Sequence, residues 1–108
     1  MGEIMVNNLF AQIPHNLEKE IFEQLIESNN VRIERIISKG HTSPESGWYE
    51  QEQNEWVMVV KGAAILSFAD GHSVNLKEGD YLNIEAYKKH RVEWTDPDTE
   101  TIWLAVYY

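Results

Sequence analysis

Glu55 stands one residue ahead of an unbroken apolar run in the stretch NEWVMVVKGAAILSFADG, residues 54–71. A carboxylate that opens a buried strand needs a partner, since alone it costs several kcal/mol or stays protonated. Side chains two or four apart on a strand share a face, so Gln51, Gln53 and Glu55 point the same way if the strand starts early. His90 opens a later strand segment, and His41 sits in the loop KGHTSPESGW, residues 39–48. In a β-barrel, metal donors come from inward positions on different strands. Two imidazoles, a carboxylate and an amide oxygen would suit Mn²⁺, Fe²⁺, Ni²⁺ or Zn²⁺. The metal-free alternative is that Glu55 pairs with Arg32, Arg91 or a Lys and binds nothing.

These residues need a scaffold, and composition bounds it. A chain of 108 residues is expected to form one domain with a modest core. Its 43% hydrophobic and 25% charged residues are those of a folded, water-soluble protein rather than a disordered one. No apolar stretch is long enough to span a bilayer. The start, MGEIMVNNLF, reads neither as a signal peptide nor, with Val6 where Ser or Thr is required, as a myristoylation site. The absence of Cys removes disulfides, thiolate ligands and a Cys nucleophile together. A cytoplasmic protein is expected. The net charge of −9 argues against a nucleic-acid partner, and the YKKHR cluster at 87–91 is too short to be a phosphate-binding patch.

Along the chain, HNLEKEIFEQLIESNN carries Leu17, Ile21 and Leu25 at four-residue spacing, flanked by Phe22 and Ile26. That stripe predicts an N-terminal helix over about 16–28, capped by Asn16 and ended at Asn29-Asn30. The remainder predicts strands at 31–38, 55–61, 63–68, 73–77, 80–84, 90–95 and 101–108, rich in β-branched and aromatic residues. Gly62, Asp70-Gly71, Glu78-Gly79-Asp80 and Asp96-Pro97 punctuate them. The expected architecture is an all-β sandwich or barrel over 31–108. One helix, from an N-terminal extension at 1–30, packs outside it.

The stretch 54–94 resembles the core of small single-domain cupins, a jelly-roll barrel family, and the resemblance extends over roughly 31–108. Glu55 and Gly62 have the spacing that ends the first cupin motif; Gly79 and His90 match the second, with Glu85 where Pro is usual and Tyr87 where Gly is usual. The family's His-x-His before the Glu is missing from WYEQEQNE. In one register Tyr49 and Gln51 occupy those places, in the other Trp48 and Glu50; the first keeps Gln51 on the face of Glu55. The resemblance implies a divalent metal held by Glu55 and His90, with Gln51 as a third ligand and His41 folding back as a fourth. It also implies a small organic ligand inside the barrel and oxygenase, isomerase or lyase chemistry. The alternative is a non-catalytic module binding a small ligand, with or without metal.

No residue is marked as catalytic by a motif: there is no phosphate loop and no nucleophile elbow. Glu55, as a proton shuttle, and Tyr49, as a donor to an oxyanion, are the candidates. Trp48 and Tyr49 are expected to line the pocket, while Trp56, Trp94 and Trp103 read as packing residues. His72 reads as a turn residue and His15 as structural. Exposed sheet edges, with apolar strands at both ends of the barrel, predict a homodimer.

Overall fold

The computed structural model describes residues 2, 4–14 and 16–108. Eight strands are formed: β1 (Ile21–Glu27), β2 (Arg32–Ser38), β3 (Glu55–Lys61), β4 (Ala63–Phe68), β5 (Ser73–Lys77), β6 (Tyr81–Ile84), β7 (His90–Thr95) and β8 (Thr101–Tyr107). They make a five-stranded sheet in the order β1-β2-β8-β3-β6 and a three-stranded sheet in the order β5-β4-β7. Every pairing is antiparallel. The expected all-β jelly roll is what the chain builds, and the core lies between the sheets. Ile36, Val57, Val59, Trp103, Ala105 and Tyr107 come from one sheet, and Ala64, Leu66, Phe68 and Leu76 from the other.

Alternation explains these faces. On β4 the buried residues are Ala64, Leu66 and Phe68; on β3 they are Glu55, Val57 and Val59, with Trp56 and Met58 half-buried on the outer face. The β3–β4 connection turns on Gly62, whose φ is +91°. A Cβ there would lie 2.5 Å from Thr101 Oγ1 and 2.7 Å from Thr101 Cα, so only Gly fits. Tyr87, at the place where the cupin pattern has Gly, has φ +64° and is the left-handed residue of the turn before β7.

The predicted helix at 16–28 is not formed; among the described residues there is no helix, and 21–27 is the edge strand β1. Its register explains the misreading. Ile21 pairs with Ile37 and Phe22 with Ile36, but the ladder shifts between Gln24 and Ile26, leaving Leu25 out of step. A bulge adds one residue to a two-residue period. Apolar residues at 21, 22, 25 and 26 therefore imitate helical spacing. The strand also gains a ladder of backbone hydrogen bonds along β2, whereas an isolated helix of this length is marginal in water.

Strand β2 is buried on both faces. Ile36 and Ser38 face the core, while Arg35 and Ile37 face away from it. Arg35 Nη1 donates to the carbonyls of Leu9 (2.9 Å) and Ala11 (2.7 Å), and Nη2 donates to Glu23 Oε1 (2.6 Å). One guanidinium thereby fastens the N-terminal strap to the sheet.

Candidate functional site

A cavity of about 150 Å³ lies between the sheets. Its walls are mainly apolar: Phe22, Ile36, Val57, Leu66, Ile84, Val92 and Trp103. Glu20, Ser43, Tyr49, Gln51, Glu55, His90 and Tyr107 share the lining, although most of the cavity surface is apolar. A mostly apolar cavity with a handful of placed polar groups is the form of a small-molecule site.

Strand starts place the reactive pair. Glu55 is the first residue of β3, between Tyr107 on β8 and Ile84 on β6, and His90 is the first residue of β7. An isolated bridge joins Tyr49 to His90 through two backbone hydrogen bonds of 2.8 and 3.0 Å, which draws the 49–51 segment across the cavity. Glu55 and His90 are 8% and 6% exposed, so neither can rely on water. Glu55 Oε1 lies 3.4 Å from His90 Nε2 and accepts a 3.1 Å hydrogen bond from Gln51 Nε2. His90 Nδ1 is 2.9 Å from the Lys88 carbonyl. A carbonyl only accepts, so Nδ1 carries a proton and Nε2 is the nitrogen aimed at Glu55. The apparent puzzle of a carboxylate opening a buried strand is thus resolved by an imidazole.

Burial is the largest single influence on His90 and pulls its pKa down. The hydrogen bond to Glu55, the bond to the Lys88 carbonyl and the Glu55 charge together outweigh it, leaving the imidazole above its ordinary 6.5. Burial also pushes the Tyr107 phenol up strongly, and the Glu55 and Glu34 charges add to this, so Tyr107 stays protonated.

Of the residues singled out in the sequence, Glu55, His90, Gln51 and Tyr49 meet in this cavity. Two do not. His41 Nδ1 accepts from the Lys39 backbone N–H at 2.9 Å, and Nε2 then carries the proton toward the Glu18 carbonyl at 3.2 Å. Both ring nitrogens are engaged, and His41 does not line the cavity; it pins the strap instead. Trp48 lines a separate shallow hollow with Ser43, Pro44 and Tyr49, and Arg91 lies 5.8 Å over its ring. His72 is an exposed turn residue paired with Asp70. His15 lies outside the described residues.

The donors do not add up to the expected four-ligand metal centre. Glu55 and His90 converge, with Gln51 supplying at most an amide oxygen. Among the described residues no three His, Cys, Asp or Glu side chains are grouped to hold an ion.

Sequence reasoning missed Glu20. It precedes β1 on the face that carries Phe22, and its carboxylate accepts from Ser38 Oγ, which in turn accepts a 3.2 Å hydrogen bond from Trp103 Nε1. The signal was present: Glu20 and Phe22 alternate as strand neighbours do, but only once the segment is read as β1.

Comparison with known proteins agrees with this architecture. Residues 35–107 match the family model described as Cupin domain. A candidate mannose-6-phosphate isomerase from Ralstonia eutropha is 44% identical over 96% of this chain and 97% of its own, with a TM-score of 0.91. A cupin superfamily protein of Desulfitobacterium hafniense is 19% identical, covering 88% and 82%, at TM-score 0.73. A cupin with a double-stranded β-helix fold from Methanocaldococcus jannaschii is 18% identical, covering 89% and 85%, at 0.69; these two speak to the fold alone. No curated protein matches significantly. With its jelly roll, its Glu55–Gly62 and Gly79–His90 spacings and a family match over most of its length, the chain belongs to the cupin family.

Proposed function

We propose that this cupin binds a small organic molecule in its barrel and moves a proton on it with the Glu55–His90 pair, an isomerase-type reaction. The observation that carries the reading is the buried carboxylate–imidazole pair, 3.4 Å apart, facing a mostly apolar cavity. Glu55 takes a proton from a carbon beside a carbonyl, and the His90 imidazolium gives one to the carbonyl oxygen, producing an enol. Where that carbon bears a hydroxyl the enol is an enediol. Glu55 then gives its proton to the former carbonyl carbon, while the now neutral His90 takes one from the other hydroxyl, whose carbon becomes the new carbonyl. Tyr49, in the same cavity, donates to the developing oxyanion.

The isomerase name of the Ralstonia relative supports the reaction type, but not its hexose phosphate. Among the described residues no Lys or Arg lines the cavity, and its volume falls below the roughly 300–1,000 Å³ of drug-sized ligand sites. A divalent Mn, Fe, Ni or Zn ion, the family's usual centre, would have to draw on His90 Nε2, the Glu55 carboxylate and the Gln51 carbonyl oxygen. That set holds one imidazole and one carboxylate with only a weak neutral amide beside them, and among the described residues no third His, Cys, Asp or Glu joins it.

The test is hydrogen–deuterium exchange in D₂O on small hydroxy- and amino-ketones, followed by proton NMR, beside elemental analysis of protein purified without chelator or nickel. Wild type is expected to accelerate exchange at the carbon beside the carbonyl without bound metal, and Glu55→Gln to abolish it. Ligand binding without exchange would leave the alternative, a non-catalytic small-ligand module. Near-stoichiometric metal lost in His90→Ala would overturn the metal-free mechanism.

We also propose a homodimer. β1 is a free sheet edge, and Phe22, Leu25 and Ile26 on it are exposed. Light scattering that finds a monomer at micromolar concentration would refute it.

A further inference from the structure

We infer that the cavity selects a small organic ammonium, an amine-bearing substrate with an apolar body, and that Glu20 is the residue that selects it. The inference rests on the reading of this cavity as the ligand site and names the ligand's chemical class. Of the charged groups lining the cavity, Glu55 and His90 neutralise one another as a pair. Glu20 is left. Among the described residues no Lys, Arg or His forms an ion pair with it. Among the described residues its side-chain partner is Ser38, whose hydroxyl is held in turn by Trp103.

The surroundings fit a cation. Phe22 and Trp103 line the cavity on the Glu20 side, through β1 and the Ser38 bond, and aromatic faces attract ammonium groups. An anionic head would meet a net negative lining on a protein of charge −9. Glu20 does not group with Glu55 and His90 to form a single ion site. An ammonium at Glu20 therefore leaves the Glu55–His90 pair open to the rest of the same ligand. The residue just before edge strand β1 supplies the selecting charge, and the first residues of β3 and β7 supply the reacting groups.

The test uses three probes of matched size: benzylammonium, benzyl alcohol and benzoate. Binding is measured by calorimetry at pH 7 in low salt and located by NMR shifts of the His90 ring. Benzylammonium is expected to bind about tenfold tighter than the alcohol, with benzoate weakest. Glu20→Gln should bring the ammonium-to-alcohol ratio to about one. Should that variant fold poorly, wild type still decides, because the ammonium advantage must shrink as NaCl is added. Alcohol binding with no ammonium advantage, or benzoate binding best, overturns this inference and leaves the ligand-site reading intact. If none of the three binds, this inference falls, and the exchange assay on hydroxy- and amino-ketones decides the ligand-site reading separately.

Discussion

Glu55 and Glu20 are carboxylates lining one cavity, yet they are held in different ways. Glu55 begins a central strand with a partner on each side, is 8% exposed, and has an imidazole and an amide directed at it. Glu20 precedes an edge strand, is only partly buried, and touches one hydroxyl. A central strand gives a charge that must be neutralised by its surroundings, so its environment is fixed and its removal is costly. An edge strand gives a charge that water can still reach, which can be exchanged with little effect on folding. Proton chemistry belongs on the first kind of position and ligand selection on the second.

The sharpest way to break this contrast is to remove the partner of one carboxylate and the charge of the other. His90→Ala leaves Glu55 buried without its counter-charge, and breaking such a pair costs about 3–5 kcal/mol. Glu20→Gln should cost less than about 1 kcal/mol, the scale of one ordinary hydrogen bond. Urea denaturation measures both. Equal losses would mean that the two carboxylates are structurally alike and that the division of labour is wrong. The same pair makes stability depend on pH. His90's folded pKa lies above its unfolded value near 6.5, so the folded state binds the extra proton. The contribution is complete below about pH 6.5 and is lost as pH rises through the folded pKa. Wild-type stability should fall across that window, while His90→Gln should lack this component.

A second test acts on the strap. Arg35→Met removes the bonds to Leu9, Ala11 and Glu23 while keeping the aliphatic volume of a buried side chain. Because Glu23 is 40% exposed and can return to water, the loss should be about 2 kcal/mol, less than for His90. Limited proteolysis should cut within residues 9–20 faster than in wild type. If cleavage is unchanged, Arg35 is a packing residue and the strap is held by other contacts.

The contrast between the two ends also separates what was legible in the sequence from what was not. Glu55 and His90 were readable because each opens a short β-rich segment bounded by turn residues, and their spacing to Gly62 and Gly79 is local. Gln51 reaches the cavity, but not by the strand parity that suggested it: β3 starts only at Glu55, and Gln53 donates instead to the Asn30 carbonyl. Glu20 was not readable, since its role depends on β1 pairing with β2, and the bulge near Leu25 gave that strand the apolar spacing of a helix. His41 was misplaced for a related reason. A loop imidazole has the chemistry of a ligand in any sequence, and only the approach of Glu18 and the turn at Lys39 reveals that both nitrogens are already used. Residue type and spacing report on what a strand presents; they do not report on which distant backbone comes to meet a loop.

The smallest predicted effect concerns the turn that sets His90 in place. Tyr87 has φ +64°, a conformation that costs a side chain with a Cβ about 1–2 kcal/mol and that Gly adopts freely. Its backbone N–H donates to the Gln51 carbonyl at 2.8 Å, a bond any residue but Pro would keep, and its ring is 64% exposed. Tyr87→Gly therefore relieves backbone strain and loses little packing, offset by the roughly 0.5–1 kcal/mol of extra chain entropy that Gly loses on folding. The net expectation is stabilisation by about 0.5 kcal/mol, a rise in Tm of about 2–4 °C. Tyr87→Ala is the control, because it removes the same ring and keeps the strain. A gain in the Gly variant alone assigns the effect to the backbone. Equal shifts in both would assign it to the ring, and would mean that the turn carries no strain.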